Sequence, residues 1–306
     1  MTDQIVGHYA QRKSLRQLLA SERLPHSMLF VGNAGIGKKL VALELAQMLF
    51  CEDNNRAEIG GCGECSKCKL FESGSIADLY QIDCLDKEAA NVAQIRQLLQ
   101  TVNLKAFHGG ARVTVLDNAE HLSVQSSNIL LKTLEEPRGD SYFILIVENP
   151  AKLPDTILSR CQRWFFSPLS NDQIRDVIDR KNLLPEGVSI QDVITLLDGS
   201  LQGVSSIVDK LDRFSNFKDR VNKILAGDKL NALEFAKELS SDRESLRESL
   251  HLMRMIVRER VLNETDPKNR RSAASLQAHL LELDALIFER NINAQYLLQS
   301  RLLNDL

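Results

Sequence analysis

The sequence predicts a parallel α/β domain over residues 1–166, a small helical lid over 167–211 and a further all-helical domain over 212–306. Three observations predict this order. Short apolar runs alternate with amphipathic stretches up to about Phe166, which is the pattern of a parallel sheet covered by helices. A glycine-rich loop ending in lysine follows the first run. After Pro168 apolar residues recur only at helical spacing.

The expected elements of the first domain follow from these patterns. Four strands are predicted, at Met28–Gly32, Leu79–Asp83, Arg112–Asp117 and Tyr142–Val147. Three helices are predicted between them, at Lys38–Phe50, Val92–Gln100 and Val124–Glu136. Proline at position 137 ends the last helix, because proline lacks the N–H donor and clashes with the preceding turn.

The helical regions begin with two short helices at Ser170–Lys181 and Ile190–Asp198, each opened by a capping-type residue. Two apolar stripes then recur at three-to-four spacing, and we interpret both as bundle core: Leu246, Leu250, Met253, Val257 and Val261, then Leu276, Leu280, Leu283 and Ile287. Thr265–Arg271, with Pro267 and four charged residues, is expected to be a loop between them.

The bulk properties exclude some functions. The chain has no apolar run of the ~20 residues that cross a bilayer, and its first residues lack the apolar stretch of a signal peptide. We therefore expect a cytoplasmic protein without a membrane partner. The net charge of −3 supplies no global field for nucleic acid, so any DNA contact must come from a local stripe or from partner proteins.

The segment GNAGIGKK matches the phosphate-binding motif GxxxxGK[ST] at every position except the last. Its key residues are Gly32, Gly35, Gly37, Lys38 and Lys39. The glycines let backbone N–H groups face phosphate, and Lys38 would reach the terminal phosphates. A hydroxyl normally ligates Mg²⁺ where this chain has Lys39, so ordinary magnesium binding is not expected. The loop could hold nucleotide, hold another anion without magnesium, or be a vestige.

The strand predicted at Arg112–Asp117 ends where a second catalytic element is expected. Asp117 stands in the position that holds the metal, but the next residue is Asn118. An amide cannot accept a proton from the attacking water, so hydrolysis at this site is not expected. Glu120 lies two residues too far along, and we interpret it as a solvated residue at a helix start.

The cysteine spacing C-x10-C-x2-C-x2-C predicts a structural zinc site inserted at residues 51–68. Its ligands are Cys51, Cys62, Cys65 and Cys68. Gly61 and Gly63 allow the tight turns that four thiolates around one ion require. A redox pair or free thiols are the alternatives. The remaining two cysteines, Cys84 and Cys161, are interpreted as ordinary buried thiols.

Three strings carry a resemblance to a known family: LPHSMLF from Leu24, NILLKTLEEP from Asn128 and LPDTILSRC from Leu153. They resemble the AAA+ clamp-loader proteins of the bacterial DNA polymerase III holoenzyme, which comprise gamma/tau and delta-prime. The similarity runs from about Ile5 to Phe166, with a weaker match at Gly199–Gln202. It implies an AAA+ fold, a zinc module after the phosphate-loop helix, and a C-terminal collar that forms the oligomer.

In this family the Ser-Arg-Cys string supplies an arginine finger to the ATP of a neighbouring subunit, and the resemblance gives that role to Arg160. A guanidinium inserted in trans neutralises charge on the transferring phosphoryl group, so hydrolysis depends on assembly. The alternative is a surface arginine paired with a carboxylate.

Departures from the family pattern indicate which of its subunits, gamma/tau or delta-prime, this chain resembles. Motor subunits carry Ser/Thr after the loop lysine, Asp-Glu after the third strand, and Arg after the lid Gly-Ser-Leu. This chain has Lys39, Asn118 and Gln202 there. The residue that senses phosphate after the fourth strand falls near Val147 and Glu148, with Asn149 as an alternative. A nucleotide site that lacks these residues, in a chain that keeps the arginine finger, resembles the delta-prime branch of the family.

The resemblance therefore implies a non-hydrolysing, stator-like component of the DNA polymerase holoenzyme. The partners it implies are gamma/tau, delta, the sliding clamp and primed DNA; the cofactor is structural zinc, with ATP or another nucleotide doubtful. A gamma/tau-like ATPase motor is the first alternative. A P-loop kinase or transferase is the second, and it would need a hydroxyl near Lys38 and a carboxylate near Asn118.

Overall fold

The computed structural model describes residues 5–88, 90–102, 106–107, 110–137, 139–184, 188–197, 199–202, 204, 211–240, 243–284, 286–287 and 292–304. The chain forms two compact units. The first comprises Met1–Val177 with Gly199–Gln202, and the second comprises Ile178–Asp198 with Gly203–Leu306. The predicted α/β region followed by helices is confirmed. Segment 199–202 belongs with the first unit, although it lies beyond the lid helices in the sequence.

A five-stranded parallel sheet forms the centre of the first unit. Its strands are β1 Ser27–Val31, β2 Leu79–Asp83, β3 Arg112–Asp117, β4 Ser141–Val147 and β5 Gln162–Phe165. The order is β2-β3-β4-β1-β5, and Val31 pairs with both Val147 and Phe165. The four predicted strands lie within one residue of these bounds. Strand β5 was missed because it is short and exposed and begins with the polar residues Gln162 and Arg163, so it lacks the apolar run of a buried strand.

Helices cover both faces of this sheet. They are α1 Tyr9–Ala20, α2 Lys38–Phe50, α3 Arg56–Ile59, α4 Ser66–Glu72, α5 Val92–Val102, α6 Val124–Glu135, α7 Asp155–Leu158 and α8 Asn171–Lys181, which ends in the second unit. Helices α2, α5 and α6 match their predictions within two residues. Helix α8 begins one residue later than predicted, because Ser170 lies outside it and its hydroxyl caps the Gln173 N–H at 3.3 Å.

A buried ion pair joins α1 to α2. The Arg12 guanidinium donates to both carboxylate oxygens of Glu44, at 2.7 and 2.8 Å, and Arg16 donates to the same carboxylate at 2.6 Å. The Glu44 side chain is only 1% exposed. Burial alone raises the pKa of Glu44, but the bonds from Arg12 and Arg16 lower it below its ordinary value. The arginines therefore keep a buried carboxylate charged beneath the helix that follows the glycine-rich loop.

The second unit is a helical bundle. Besides the end of α8, it contains α9 Ile190–Leu197, α10 Leu211–Leu225, α11 Lys229–Leu239, α12 Arg243–Asn263, α13 Pro267–Asp284 and α14 Ala294–Asn304. Helix α9 matches its prediction to Leu197, and Asp198 lies outside the described residues. Both predicted apolar stripes lie in one core, where all of their residues are buried except Val261, which packs against it partly exposed. The bundle-core interpretation is confirmed.

The predicted loop at Thr265–Arg271 is wrong. Helix α12 ends at Asn263 and α13 already begins at Pro267. Proline fits the first position of a helix, where no N–H donor is needed and its fixed φ suits the turn. The Asp266 carboxylate caps this start by accepting from the N–H of Lys268 at 2.7 Å. Within the described residues, no helix combines the length and apolarity that crossing a membrane requires.

We expect Glu44→Ala to destabilise the first unit by about 3–5 kcal/mol, because it leaves two arginines without their buried partner. Urea unfolding followed by fluorescence of the single tryptophan, Trp164 in β5, measures this effect. Because the folded pKa of Glu44 is lowered, its contribution is present above the ordinary glutamate value of about 4.3 and is lost as pH falls through the folded value.

Glu136→Ala is the matched control, since it removes an exposed carboxyl from the same unit and should change stability by no more than about 0.5 kcal/mol. Equal stability of the two variants at neutral pH would show that the buried pair does not hold α1 on α2.

Candidate functional site

The carboxyl ends of the parallel strands bring the predicted phosphate-binding residues to one edge of the sheet. The glycine-rich loop follows β1, Asp117 ends β3 with Asn118 after it, and Glu148 follows β4. Because β1 pairs with β4 and β4 pairs with β3, these three strand ends are neighbours. The structure therefore assembles the loop and the β3 carboxylate that lie far apart in the sequence, as in open α/β sheets that bind ligands at this edge.

Lys38 lies inside the loop and is only 6% exposed. Its ammonium donates to the carbonyl oxygens of Gly32 and Asn33, at 2.5 and 2.6 Å. Burial lowers the pKa of Lys38, and the charges of Asp117, Glu148 and Glu120 oppose that shift. In the structure, the lysine is thus held by neutral carbonyls of its own loop.

The Gly-Ser-Leu-Gln segment 199–202 packs against the outside of the glycine-rich loop. The Ser200 hydroxyl donates to the Ala34 carbonyl at 2.7 Å, and the Leu201 N–H donates to the Gly35 carbonyl at 3.0 Å. Gly35 has φ +68°, and a Cβ there would lie 2.5 Å from the N atom of Gln202. Glycine is therefore required at 35 by both conformation and space. Gln202 adds no positive charge at this position, where the family resemblance leads one to expect arginine.

Lys39 takes the place of the magnesium-binding hydroxyl and forms an ion pair with Asp117, with 3.3 Å between Nζ and Oδ2. The lysine side chain is 43% exposed and the aspartate 20%, so the pair contributes at most about 1 kcal/mol to stability. Its importance lies in what it excludes. The protonated amine of Lys39 has no lone pair with which to bind a metal ion. It also pairs with the Asp117 carboxylate, which would otherwise bind that ion. These residues do not fit Mg²⁺ in the usual P-loop manner.

The remaining polar residues at this edge are engaged within the chain. The Asn118 amide donates to the Asp83 carboxylate at 2.8 Å, which is the first cause of the lowered pKa of Asp83. Glu120 lies in a 3₁₀ turn, and its Oε1 accepts the N–H of Glu148 at 2.8 Å. Glu120 therefore does lie at a helix start, as predicted, but our interpretation of it as solvated is wrong, because its carboxylate is bonded to the backbone that follows β4. Asn149 caps the next turn by accepting the Ala151 N–H at 3.0 Å.

His8 is a site residue that the sequence did not indicate. Its Nε2 lies 2.7 Å from the carbonyl oxygen of Ile36 in the glycine-rich loop, and its ring meets the Phe166 ring edge-on. Burial lowers the pKa of His8, which favours the neutral ring. No sequence period marks this contact, since His8 precedes a helix that was itself not predicted.

Arg160 lies just after α7, with its side chain 30% exposed. Its Nη2 donates to Glu135 Oε1 at 3.0 Å, and its Nη1 donates to the Thr156 carbonyl at 3.0 Å. The alternative drawn from the sequence, a surface arginine paired with a carboxylate, describes this contact correctly. The pairing does not exclude action on a neighbouring molecule, because a second Nη2 N–H remains on a partly exposed group.

The four predicted zinc ligands come together where the chain passes from the end of α2 into the first turn of α4. The Sγ atoms of Cys51, Cys62, Cys65 and Cys68 all lie within 4.8 Å of one another, and those of Cys62 and Cys68 are 3.9 Å apart. Tetrahedral zinc with Zn–S bonds of about 2.3 Å places sulfur atoms about 3.8 Å apart. The cluster therefore fits a structural zinc ion. Cys84 and Cys161 are buried elsewhere, as predicted.

Backbone N–H groups support the sulfur cluster. The N–H of Cys62 donates to the Cys51 sulfur at 3.3 Å, and the N–H of Cys65 donates to the Cys62 sulfur at 3.3 Å. Burial opposes ionisation of Cys65, but N–H donation from Glu52 and Cys68 lowers its pKa to about 7. The thiolate is the form that binds metal, so these donors favour the ligand state at Cys65, whereas burial raises the pKa of Cys51 and Cys68.

A parallel sheet with a glycine-rich loop after β1, and the β3 carboxylate beside it, defines a P-loop α/β protein. The family model described as "DNA polymerase III, delta subunit" matches residues 7–170, more than half of the chain. The chain therefore belongs to this family, which confirms the resemblance drawn from its motifs.

Curated relatives carry the matching names. The tau subunit of DNA polymerase III from Salmonella typhimurium is 35% identical over 210 residues, which is 67% of this chain and 32% of that protein. The delta' subunit from Bacillus subtilis is 31% identical over 214 residues, covering 69% of this chain and 62% of the relative. The delta' subunit from Pseudomonas aeruginosa is 40% identical over 137 residues, covering 44% and 41%. The match thus spans about a third of the tau relative.

We expect purified chain to carry one zinc ion, and Cys65→Ser to lose it, because a structural site needs all four thiolates. Metal analysis by mass spectrometry measures the ratio, and thermal unfolding should show a lower Tm for the variant. Cys84→Ser, in a buried cysteine outside the cluster, is the control and should keep its metal. Purified chain without zinc under metal-replete growth would contradict the assignment.

Lys39→Thr replaces the ammonium with the missing hydroxyl. We expect Mg²⁺ to strengthen ATP binding to this variant by about tenfold or more, and to leave ATP binding to the natural chain unchanged. Calorimetric titration with Mg²⁺ or with EDTA measures both. Lys39→Met is the matched control, because it removes the charge without supplying a ligand. Tighter ATP binding by the natural chain in Mg²⁺ would contradict the argument from Lys39.

Proposed function

We propose that this chain is a non-hydrolysing subunit of the DNA polymerase III clamp loader, which presents Arg160 as an arginine finger to ATP on a neighbouring subunit. The reaction served is loading of the sliding clamp onto primed DNA. The observation that carries this proposal is a contrast within one domain. Lys39 is paired with Asp117 in the chain's own phosphate site, whereas the guanidinium of Arg160 lies partly exposed after α7.

The argument against hydrolysis rests on the site's chemistry. In P-loop ATPases a metal held beside the loop neutralises phosphate charge, and a positioned carboxylate orients the attacking water. Lys39 occupies the hydroxyl position and pairs with the β3 carboxylate. Asn118 cannot accept a proton, and its amide is engaged by Asp83. Both functions are therefore lost by substitutions at separate positions of one site.

The argument for the finger rests on position and charge. Arg160 follows a short helix and keeps part of its guanidinium in solvent. Arginine stays charged at all physiological pH values and can bridge phosphate oxygens with its planar fork. A finger supplied in trans makes hydrolysis on the neighbour depend on assembly. This chain would thus control catalysis that it does not itself perform.

The other parts of the molecule take supporting roles in this proposal. Residues 167–211 form the lid and residues 212–306 the collar through which the subunits associate. Zinc at the cysteine cluster stabilises the module inserted after α2. The partners are gamma/tau and delta subunits, with the clamp and primed DNA reached through the complex in the cytoplasm.

A working ATPase motor of the tau type is the second candidate, because a tau subunit is among the relatives, at 35% identity over 210 residues. Lys39 and Asn118 argue against it, since both catalytic positions have lost their chemistry. An ATPase assay on the isolated chain separates the two candidates. Brisk turnover with Mg²⁺ would favour the motor and reject the proposal.

We expect Arg160→Ala to lower the ATPase rate of the assembled complex by about 10³-fold at every site that this chain serves, which is the usual effect of removing an arginine finger. Because Arg160 is partly exposed, the fold and the assembly should survive. Arg163→Ala in β5, also an exposed arginine, is the control and should change nothing. Wild-type turnover in a complex that contains Arg160→Ala would reject the finger.

A further inference from the structure

The hydrogen bonds of Arg160 determine how its guanidinium is oriented. Nη1 donates to the Thr156 carbonyl at 3.0 Å and lies 3.4 Å from the Ser159 hydroxyl oxygen. Nη2 donates to Glu135 at 3.0 Å. Among the described residues, Glu135 is the only carboxylate within ion-pair distance of this guanidinium. The backbone and hydroxyl contacts come from the arginine's own turn, so Glu135 is the one charged group from another element that holds it.

The position of Glu135 is not explained by its helix. Glu135 is the last residue of α6, and Glu136 follows it at the cap. A negative charge at a helix C-terminus is disfavoured, since the helix dipole is negative there. Fold stability does not explain it either, because the glutamate is 57% exposed and ion pairs of that kind contribute little. The contact that this carboxylate makes in the structure is the one with Arg160.

The geometry also leaves the arginine able to act. Each terminal guanidinium nitrogen carries two N–H groups, and Nη2 uses one of them on Glu135. The other remains for a phosphate oxygen. An unrestrained arginine side chain samples many rotamers, and a small misplacement of a catalytic group costs much of the rate. A monodentate carboxylate can therefore orient the guanidinium without occupying it.

We propose that Glu135 is a positioning residue, which orients Arg160 toward the phosphates of a nucleotide bound to the neighbouring subunit. The inference rests on the proposed role of Arg160 and adds a second residue to it. Because the orientation comes from a hydrogen bond accepted by Oε1, an amide oxygen in the same place should keep most of the effect. A carboxylate that acted as a brake on Arg160 would give the opposite result when removed.

The test uses the full-length chain assembled with the other subunits of its clamp loader, and measures steady-state ATPase with clamp and primed DNA. We expect Glu135→Ala to lower kcat roughly 10-fold, with KM for ATP within about twofold of its original value, because orientation affects the transition state rather than ATP binding. Glu135→Gln should recover most of that loss. Glu136→Ala is the matched control, since that exposed neighbour forms no ion pair among the described residues.

A double variant separates this inference from the proposed function. In a chain that already carries Arg160→Ala, adding Glu135→Ala should not lower kcat any further, since the two residues act as one unit. A complex in which Arg160→Ala is slow but Glu135→Ala is unchanged or faster overturns the positioning role alone. Equal loss in Glu135→Gln and Glu135→Ala also overturns it. Unchanged turnover with Arg160→Ala overturns the finger itself.

Discussion

The parallel pairing of β1 with β4, and of β4 with β3, is the constraint on which the candidate phosphate site depends. It places the glycine-rich loop and the end of β3 at the same edge of the sheet, although they lie about 80 residues apart in the sequence. The approach of Lys39 to Asp117 follows from that arrangement. Asn118 reaches Asp83 because β2 pairs with β3 on the other side. The edge is thus stabilised by residues of the protein itself.

The ion pairs formed by Glu44, Lys39 and Arg160 have different physical consequences because their burial differs. Glu44 is almost fully buried and holds two arginines, so it is an obligatory part of the packing of α1 on α2. Lys39 with Asp117, and Arg160 with Glu135, are partly exposed and contribute little to stability. These two pairs matter for other reasons. The Lys39 ammonium lies where a metal ion would bind, and Glu135 orients the Arg160 guanidinium.

The proposed function is a division of labour between chemistry and assembly. A subunit that cannot hydrolyse nucleotide has no need of a metal hydroxyl or a water-orienting carboxylate. It still requires a rigid domain that presents one arginine in a constant direction. The buried sheet, the anchored α1 and the cysteine module between α2 and β2 all support such rigidity. The helical second unit, with one continuous core, would serve association with other subunits.

The sequence by itself determined the elements whose signals are local. Apolar runs located four strands, helical spacing located the bundle core, and close cysteine spacing located four thiols that come together, because period and chain connectivity act over a few residues. Only the tertiary structure decided the rest. Strand β5 forms because an exposed edge segment finds β1 beside it. The helix start at Pro267 depends instead on the local cap from Asp266, a sequence signal that our loop prediction overlooked. The partners of Lys39, Glu120 and Arg160 are set by packing between distant segments, on which local sequence patterns carry no information.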